Sequence, residues 1–192
     1  HPISESDLET DRRPRASFLD AWQASGTAEP RPLDTYALLG ADGTLREATL
    51  RCTAGELVCD KSIGVSDNTL TVRYACGGSV GTMQTALNIA MPSCDGYSGR
   101  YVLEDGSVPG GFGQLLVLDD ARGLTLDDRW MGGSIRITAS RPVEIEAAPF
   151  HTVSLSEAGF EKIMQGVALY LRWAVDKPGN RTEIRLSFHA DS

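Results

Sequence analysis

Short runs of alternating apolar and polar residues, separated by turn residues, recur along most of this chain and constrain its fold more than any other feature. In LTVRYAC, Leu70, Val72 and Tyr74 alternate with other residues, which is the period of a strand with one buried face. Similar runs recur about every 8–12 residues, and the β-α-β alternation of a parallel sheet is not seen. The sequence therefore predicts an all-β fold, an antiparallel two-sheet β-sandwich.

The other strand candidates follow from the same period. They are Tyr36–Leu39, Ala48–Thr53, Leu57–Val65, Thr82–Met91, Gln114–Asp119, Gly133–Ala139, Val143–Ala148 and Glu183–Phe188. Glycine and serine are frequent in Ser93–Gly113, which predicts a long loop. Loops of that length are usually functional or mobile.

Residues 1–34 are polar, charged and interrupted by prolines, and they are predicted to form a connecting arm. The sandwich is then expected over residues 35–192. Within the arm, Phe18, Leu19 and Trp22 have the i, i+1, i+4 spacing of one or two helical turns. We expect these apolar side chains to attach the arm to a larger body.

The segment 159–175 carries two competing periods. Its apolar residues first recur at helical spacing: Phe160, Ile163, Met164, Val167 and Leu171. Two glycines in the same segment each disfavour a helix by about 1 kcal/mol relative to alanine, and from Tyr170 the period becomes two. We predict at most a short helical turn at Phe160–Met164, followed by a closing β-hairpin.

The formal charge of −8 argues against a nucleic-acid partner, because phosphate binding requires clustered lysine and arginine. Apolar runs fall short of the ~18 residues that a membrane span needs. We therefore expect no nucleic acid and no membrane among the partners, and a cytoplasmic location.

Four cysteines leave the redox state open. A two-residue turn at Gly55–Glu56 would place Cys52 opposite Cys59, at the Cα separation of ~5.5 Å that suits a disulfide. Cys76 and Cys94 could form a second bridge, and the two bridges together would indicate an exported protein. Buried free thiols in the cytoplasm are the alternative.

The sequence indicates no metal or cofactor site. His1 could bind copper only with a second positioned histidine, and His151 and His189 show no such pattern. The cysteine spacing lacks the paired ligands of a zinc site. The glycine-rich GSVPGGFGQ lacks the strand before it and the helix after it that define a phosphate loop.

The segment from His151 to Trp173 resembles a signature close to VSxSExGFExxYQGxxLxxxW. That signature lies near the end of the C-terminal β-sandwich of the α-amylase/4-α-glucanotransferase enzymes of glycoside hydrolase family 57. The matching positions are Val153, Ser154, Ser156, Glu157, Gly159, Phe160, Glu161, Gln165, Gly166 and Trp173. Met164 stands where the family usually has tyrosine.

A second match lies near the N-terminus, where RASFLDAW resembles the RxSLxDHF run that joins the family's catalytic barrel to its sandwich. The matching positions are Arg15, Ser17, Leu19 and Asp20. Weaker similarity includes Lys61, LTVRY at 70–74 and TALN at 85–88. The resemblance implies a large two-sheet sandwich related to galactose mutarotase.

The resemblance implies an accessory role rather than catalysis. The family's Glu nucleophile and Asp acid/base belong to an N-terminal barrel, and this chain starts after that barrel would end. Adjacent acids such as Asp127 and Asp128 are interpreted as solvated loop residues. We expect no catalytic residues and a sandwich that binds α-glucan or another polysaccharide, or packs against a family 57-type barrel or another protein.

Candidate carbohydrate contacts follow from sugar chemistry, because C–H faces stack on exposed aromatic rings and hydroxyls bond to carboxylates and amides. Trp130 in DDRWMGG is the first choice, followed by Tyr97 and Tyr101 in the glycine-rich segment. The polar candidates from the signature are Glu157, Glu161 and Gln165.

Each candidate has an alternative. Trp130 could anchor a loop on the core, and the signature residues could fix the shape of a loop. Trp173 alternates in phase with Leu171 and Val175 and is expected to be a core residue. The whole chain could be a structural or protein-interaction module that has lost carbohydrate binding. A third interpretation is an enzyme with a mutarotase-like histidine and carboxylate near His151.

Overall fold

The described part of the chain is almost entirely β-strand. A computed structural model of the protein describes residues 3–8, 11, 14–41, 43–44, 46–91, 98–156, 159–176 and 179–190. These residues form one short 3-10 helix, Glu5–Leu8, and thirteen strands. The strands are β1 Leu19–Ala24, β2 Arg31–Pro32, β3 Ala37–Ala41, β4 Glu47–Ala54, β5 Leu57–Ser66, β6 Thr69–Gly77, β7 Gly81–Ile89, β8 Gly99–Val102, β9 Gly110–Gly111, β10 Leu116–Asp128, β11 Gly133–Ser156, β12 Gly159–Val175 and β13 Asn180–Ala190.

Strand β11 belongs to both layers of the molecule. Hydrogen bonds join ten of the thirteen strands into one antiparallel path with the order β2-β1-β7-β12-β11-β13-β6-β5-β4-β3, and β8, β9 and β10 lie off this path. β11 pairs with β13 through residues 133–139 and with β12 through residues 144–156, so the path folds over at the middle of β11. We call the layer of β2, β1, β7, β12 and the second half of β11 sheet A. Sheet B contains β3 to β6, β13 and the first half of β11.

The two sheets pack face to face around one apolar core. The ring of Tyr74 on β6 of sheet B lies 5.2 Å from the ring of Trp173 on β12 of sheet A. Both side chains are buried, so the expected core position of Trp173 is confirmed. The prediction of an antiparallel β-sandwich is also confirmed.

The helical turn predicted in the arm is wrong, because residues 19–24 form strand β1 and pair with β7 of sheet A. Asp20 and Trp22 are two residues apart and both are buried, as the period of a strand requires. Phe18 precedes the strand with a φ of 60° and is buried as well. The helical spacing of Phe18 and Trp22 thus arises from a turn that leads into a strand, and the arm supplies part of the sheet.

The helical turn predicted at Phe160–Met164 is wrong as well, because β12 is a continuous strand from Gly159 to Val175. The pairing of β12 with β11 shifts between Phe150 and His151, which leaves Gln165 without a Cα partner on β11. A bulge of this kind changes the side of the strand on which the following residues lie. It puts Met164 three residues before Val167 with both side chains buried, and this spacing resembles that of a helix.

The predicted loop Ser93–Gly113 contains strands. Within it, β8 pairs with residues 125–128 of β10, which in turn pair with the first half of β11, and β9 pairs with β8, so these strands extend sheet B. Residues 92–97 lie outside the described part of the chain. β10 continues to Asp128, nine residues past its predicted end at Asp119, and its pairing with β11 is irregular between Leu118 and Gly123.

Candidate functional site

A tight turn at residues 129–132 joins β10 to β11 and carries Trp130; we call these residues the Trp130 tip. The Trp130 side chain is 84% exposed, and Met131 beside it is exposed as well. Asp128 is buried rather than solvated, and its Oδ1 accepts hydrogen bonds of 3.0 Å from the backbone N–H groups of Trp130 and Met131. Asp128 therefore fixes the backbone of the turn while the indole ring remains in solvent.

Charged side chains lie next to the Trp130 tip. Arg100 Nε donates to Asp127 Oδ2 at 2.6 Å, and Arg129 Nε is 3.9 Å from the same oxygen. N–H donors, a carboxylate and an exposed aromatic ring are therefore neighbours, which is the combination that sugar recognition uses. The exposure of Trp130 contradicts its interpretation as a core anchor and satisfies the steric requirement of a sugar platform.

The second aromatic candidate, Tyr101, is wrong as an exposed platform. Its side chain is fully buried and its ring lies 5.5 Å from the ring of Phe112. Its hydroxyl lies within hydrogen-bond distance of two carbonyl oxygens, and burial raises the pKa of Tyr101 to about 12. No face of this ring is open to a sugar. Tyr97 lies outside the described residues.

The polar residues of the signature lie on the hairpin formed by the end of β11 and the start of β12. Glu161 is opposite Ser154, and Gln165 Nε2 donates to Thr152 Oγ1 at 3.1 Å. Glu157 lies outside the described residues. The hairpin is at the end of β11 and the Trp130 tip is at its start, so the structure does not bring the aromatic and polar candidates into one site.

The same hairpin exposes apolar side chains. We call residues 151–163 the distal hairpin. Leu155 and Phe160 are Cα partners on its two strands, and they are 74% and 66% exposed. Ile163 is exposed on the same hairpin. Exposed apolar groups that lie together mark interaction surfaces more often than isolated ones do.

A buried ion pair between the sheets was missed by the sequence reasoning, although both of its residues lie in matched positions. Lys61 Nζ on β5 is 2.6 Å from Asp20 Oδ2 on β1, and it also donates to the Phe18 carbonyl at 2.7 Å. The hydroxyls of Tyr36 and Tyr74 donate to the same carboxylate at 2.8 and 2.9 Å. The rings of Phe18, Tyr36 and Tyr74 lie 5.3–5.7 Å from the ammonium group of Lys61. We call this group the interlayer ion pair.

The interlayer ion pair holds the first strand of the chain against the opposite sheet. Asp20 and Lys61 are 1% and 5% exposed, so neither is available to a large ligand. The sequence does contain a signal for this arrangement. Lys61 lies at two-residue steps from Leu57, Cys59 and Ile63 in β5, so the strand period places its side chain on the same buried face.

Three cysteines form a row on the buried face of sheet B. Cys59 is the Cα partner of Cys52 on β4, which confirms the register predicted for these two residues, and it is also the Cα partner of Cys76 on β6. All three are free thiols, and Cys94 lies outside the described residues. The contact with Cys76 and burial raise the pKa of the Cys59 thiol, and burial raises that of Cys52. The compartment of the protein stays a prediction.

His151 shares a surface depression of about 460 Å³ with Glu146 and Asp7. This places a histidine and carboxylates in one depression, so the mutarotase-like interpretation stays a prediction. Among the described residues, no group of histidine, cysteine, aspartate and glutamate side chains is arranged to hold a metal ion. The same part of the chain contains no helix that is long and apolar enough to cross a membrane.

Solved structures show where this fold occurs. The chain is similar to the 4-alpha-glucanotransferase from Thermococcus litoralis, with a TM-score of 0.64 and 17% identity over 98% of this chain and 30% of that chain. A putative aldose 1-epimerase from Escherichia coli K12 gives a TM-score of 0.54 and 11% identity over 92% of this chain and 82% of that chain. A galactose mutarotase related enzyme from Lactobacillus acidophilus gives 0.53 and 9% over 93% and 82%.

These likenesses show the fold alone, which the galactose mutarotase related enzyme shares, and this chain spans 30% of the length of the glucanotransferase. No curated protein matches the chain. Residues 42–187 match the model of the family described as alpha-amylase/4-alpha-glucanotransferase, C-terminal. Since the match covers most of the chain, this protein belongs to the alpha-amylase/4-alpha-glucanotransferase C-terminal family.

Proposed function

We propose that this chain is a non-catalytic accessory β-sandwich of an α-glucan-active system and that it binds glucan through the Trp130 tip. Family membership supports the glucan-active context. The exposure of Trp130 on a turn held by Asp128 carries the choice of site. An exposed indole whose backbone is already ordered can stack on a sugar face at little entropic cost.

Isothermal titration of maltoheptaose into the chain tests this function. We expect binding by the wild-type chain and clearly weaker binding by Trp130→Ala. The melting temperature of that variant should stay close to the wild-type value, because removing an exposed ring opens no cavity. Phe160→Ala is the matched control, since Phe160 is another largely exposed aromatic residue, and it should bind glucan like the wild type.

Two results would count against the proposal. A drop of many degrees in the melting temperature of Trp130→Ala would mean that the ring supports the core. Titrations of maltoheptaose and binding to glycogen that both give no signal with the wild-type chain would exclude a glucan-binding role.

The second candidate function is a protein-interaction module, and the distal hairpin favours it. The exposed pair Leu155 and Phe160 offers an apolar contact for a catalytic barrel or another protein. Co-purification with a family 57-type catalytic barrel tests this function. It should be lost in the double variant Leu155→Ser/Phe160→Ser and kept in Leu38→Ser, which alters an exposed leucine on β3. Equal co-purification of all three chains would contradict this role for the hairpin.

A further inference from the structure

A groove lined mainly by polar and charged residues crosses the outer face of sheet B, away from the Trp130 tip. Its volume is about 430 Å³, which is within the usual range of small-ligand sites. Side chains from β4, β5, β6, β13 and the middle of β11 line it. The polar and charged residues of the lining include Thr49, Asp60, Ser62, Arg73, Arg181 and Glu183.

The register of sheet B arranges the groove in rows. Ala75 on β6 is the Cα partner of Asp60 on β5 and of Arg181 on β13, so a short side chain lies between two charged ones. The next row contains Ser62, Arg73 and Glu183. Because alternate residues of these strands face the core, these rows face outwards.

Most of the charges in the groove are already paired. Arg73 Nε donates to Glu183 Oε2 at 2.7 Å, and Arg51 Nε donates to Asp60 Oδ1 at 2.6 Å. Arg181 differs, since within the described residues its guanidinium makes no ion pair and no side-chain hydrogen bond. The groove therefore presents an uncommitted donor group beside carboxylates and hydroxyls that can accept hydrogen bonds.

We propose that this groove binds one saccharide unit of a glucan, as a contact separate from the Trp130 tip. A neutral polyol has both the donors and the acceptors that this lining requires. An anion would approach the carboxylates of Asp60 and Glu183, and an apolar ligand would desolvate the charges without replacing their hydrogen bonds. The inference rests on the proposed function, because it assumes that the ligand of the chain is a glucan.

Titration of the full chain with maltose tests the groove. Arg181→Ala should weaken maltose binding about tenfold or more, because it removes charged hydrogen-bond donors from the site. Arg185→Ala is the matched control. Arg185 lies on the same face of the same strand and pairs with Glu183, but it does not line the groove.

A second pair of variants changes the shape of the groove rather than its charge. Ala75→Trp should abolish maltose binding by filling the space between Asp60 and Arg181. Thr71→Trp places the same ring on the same face of β6 outside the groove and should leave binding unchanged. Arg181→Ala decides the outcome if Ala75→Trp does not fold, because Arg181 is exposed.

Trp130→Ala distinguishes binding in the groove from binding at the Trp130 tip. Maltose binding that survives Trp130→Ala and is lost in Arg181→Ala supports the groove. Maltose binding that Arg181→Ala leaves unchanged overturns the groove without affecting the role of Trp130. If the wild-type chain binds neither maltose nor maltoheptaose, the proposed function fails and the groove inference fails with it. Binding of inorganic phosphate that requires Arg181, in the absence of maltose binding, identifies an anion site and also overturns the inference.

Discussion

At the scale of single residues, the stability of this fold depends on one buried charge, the ammonium group of Lys61. Little solvent reaches this group, so water cannot replace its native partner. Lys61 is buried, and its ammonium group is bonded to Asp20 and to the Phe18 carbonyl. Removing one member of a buried pair leaves the other charge without a partner in a medium of low polarity. An exposed pair has no such penalty, because water replaces the lost partner.

Lys61→Met should therefore lower the free energy of unfolding by about 3–5 kcal/mol. Arg51 and Asp60 form a more exposed ion pair on sheet B. Arg51→Met, which removes one member of it, should lower the free energy of unfolding by less than about 1 kcal/mol. Urea denaturation of the two variants measures the difference. Similar losses in both would mean that the interlayer ion pair adds no more than an ordinary surface pair.

Two buried phenols, those of Tyr74 and Tyr101, and the partly buried phenol of Tyr36 predict a loss of stability in alkali. Burial, together with the charge of Asp20, raises the pKa of Tyr74 and of Tyr36 above the ordinary value, and burial raises the pKa of Tyr101 to about 12. As the pH rises, the unfolded chain loses these phenol protons before the folded chain does. The stabilisation is therefore complete below about pH 10 and is lost above it.

Urea denaturation on both sides of about pH 10 checks this expectation. The free energy of unfolding should fall with rising pH, and it should fall less steeply in Tyr74→Phe, which keeps the buried ring and lacks the phenol proton. An unfolding free energy that stays constant across this interval would contradict the assignment.

The environment of a single residue can be predicted from the sequence only where its chain neighbours determine that environment. Trp130 could be recognised as a candidate from its neighbours, but its exposure depends on how Asp128 holds the turn. Tyr101 was misjudged because its glycine-rich surroundings suggest a loop, whereas its burial depends on Phe112. The partner of Lys61 lies 41 residues away along the chain, and no local pattern specifies such a distance.

At the scale of strands, a bulge on β12 accounts for the misleading helical period, and Gly166 lies directly after it. A Cβ at this position would lie 2.1 Å from the Ile89 carbonyl oxygen and 2.9 Å from the Phe150 ring. The backbone of β7 approaches β12 too closely there for any side chain. The glycine that lowered the helical expectation thus has a packing role in a strand.

Gly166→Ala should therefore destabilise the protein by about 3 kcal/mol, the upper part of the usual range for overpacking. Gly64→Ala is the control, because the nearest atom to its added Cβ is 4.0 Å away. Thermal denaturation compares the two variants. If they have equal melting temperatures, the close approach of β7 does not constrain this position.

The row of thiols across β4, β5 and β6 predicts low reactivity in the folded protein. Cys52, Cys59 and Cys76 are buried, and the raised pKa of the Cys52 and Cys59 thiols leaves less of the reactive thiolate at those two positions. In a Cys94→Ser background, these three should react with a thiol reagent only when the chain unfolds. Rapid reaction of even one of them under native conditions would contradict the buried arrangement.

The strand pattern could be predicted wherever one face is buried and one is polar. β5, β6 and the last half of β12 follow the alternation closely, and their positions match the expectation. β1 and β8 were missed for physical reasons. β1 follows a residue with positive φ in a polar segment, and β8 is a four-residue strand that takes its stability from β10.

At the scale of the whole molecule, the predicted boundary between an arm and a sandwich divides residues that share a sheet. β1 pairs with β7 over six residues and supplies the aspartate of the interlayer ion pair. A chain that begins at residue 35 would lack both. It would also leave the backbone of β7 as an open edge, which favours association with other strands.

We therefore expect a chain that begins at residue 35 to be unfolded or aggregated, and a chain that begins at residue 14 to remain folded. The longer chain loses the ion pair between Asp7 and Lys162 and keeps β1. Circular dichroism and size-exclusion chromatography distinguish the two outcomes. A folded monomer that begins at residue 35 would support the arm as a separate segment.

Because β11 runs through both layers without a break, we expect the two sheets to unfold together. In a sandwich whose two sheets share no strand, the sheets could separate while the hydrogen bonds within each sheet stay intact. Here the same backbone is hydrogen-bonded to β13 in one layer and to β12 in the other. Melting either layer frees one half of a strand whose other half holds the second layer together. The two sheets therefore form a single cooperative unit. A destabilising substitution in one sheet should lower the protection of backbone amides from hydrogen exchange in the other sheet as well.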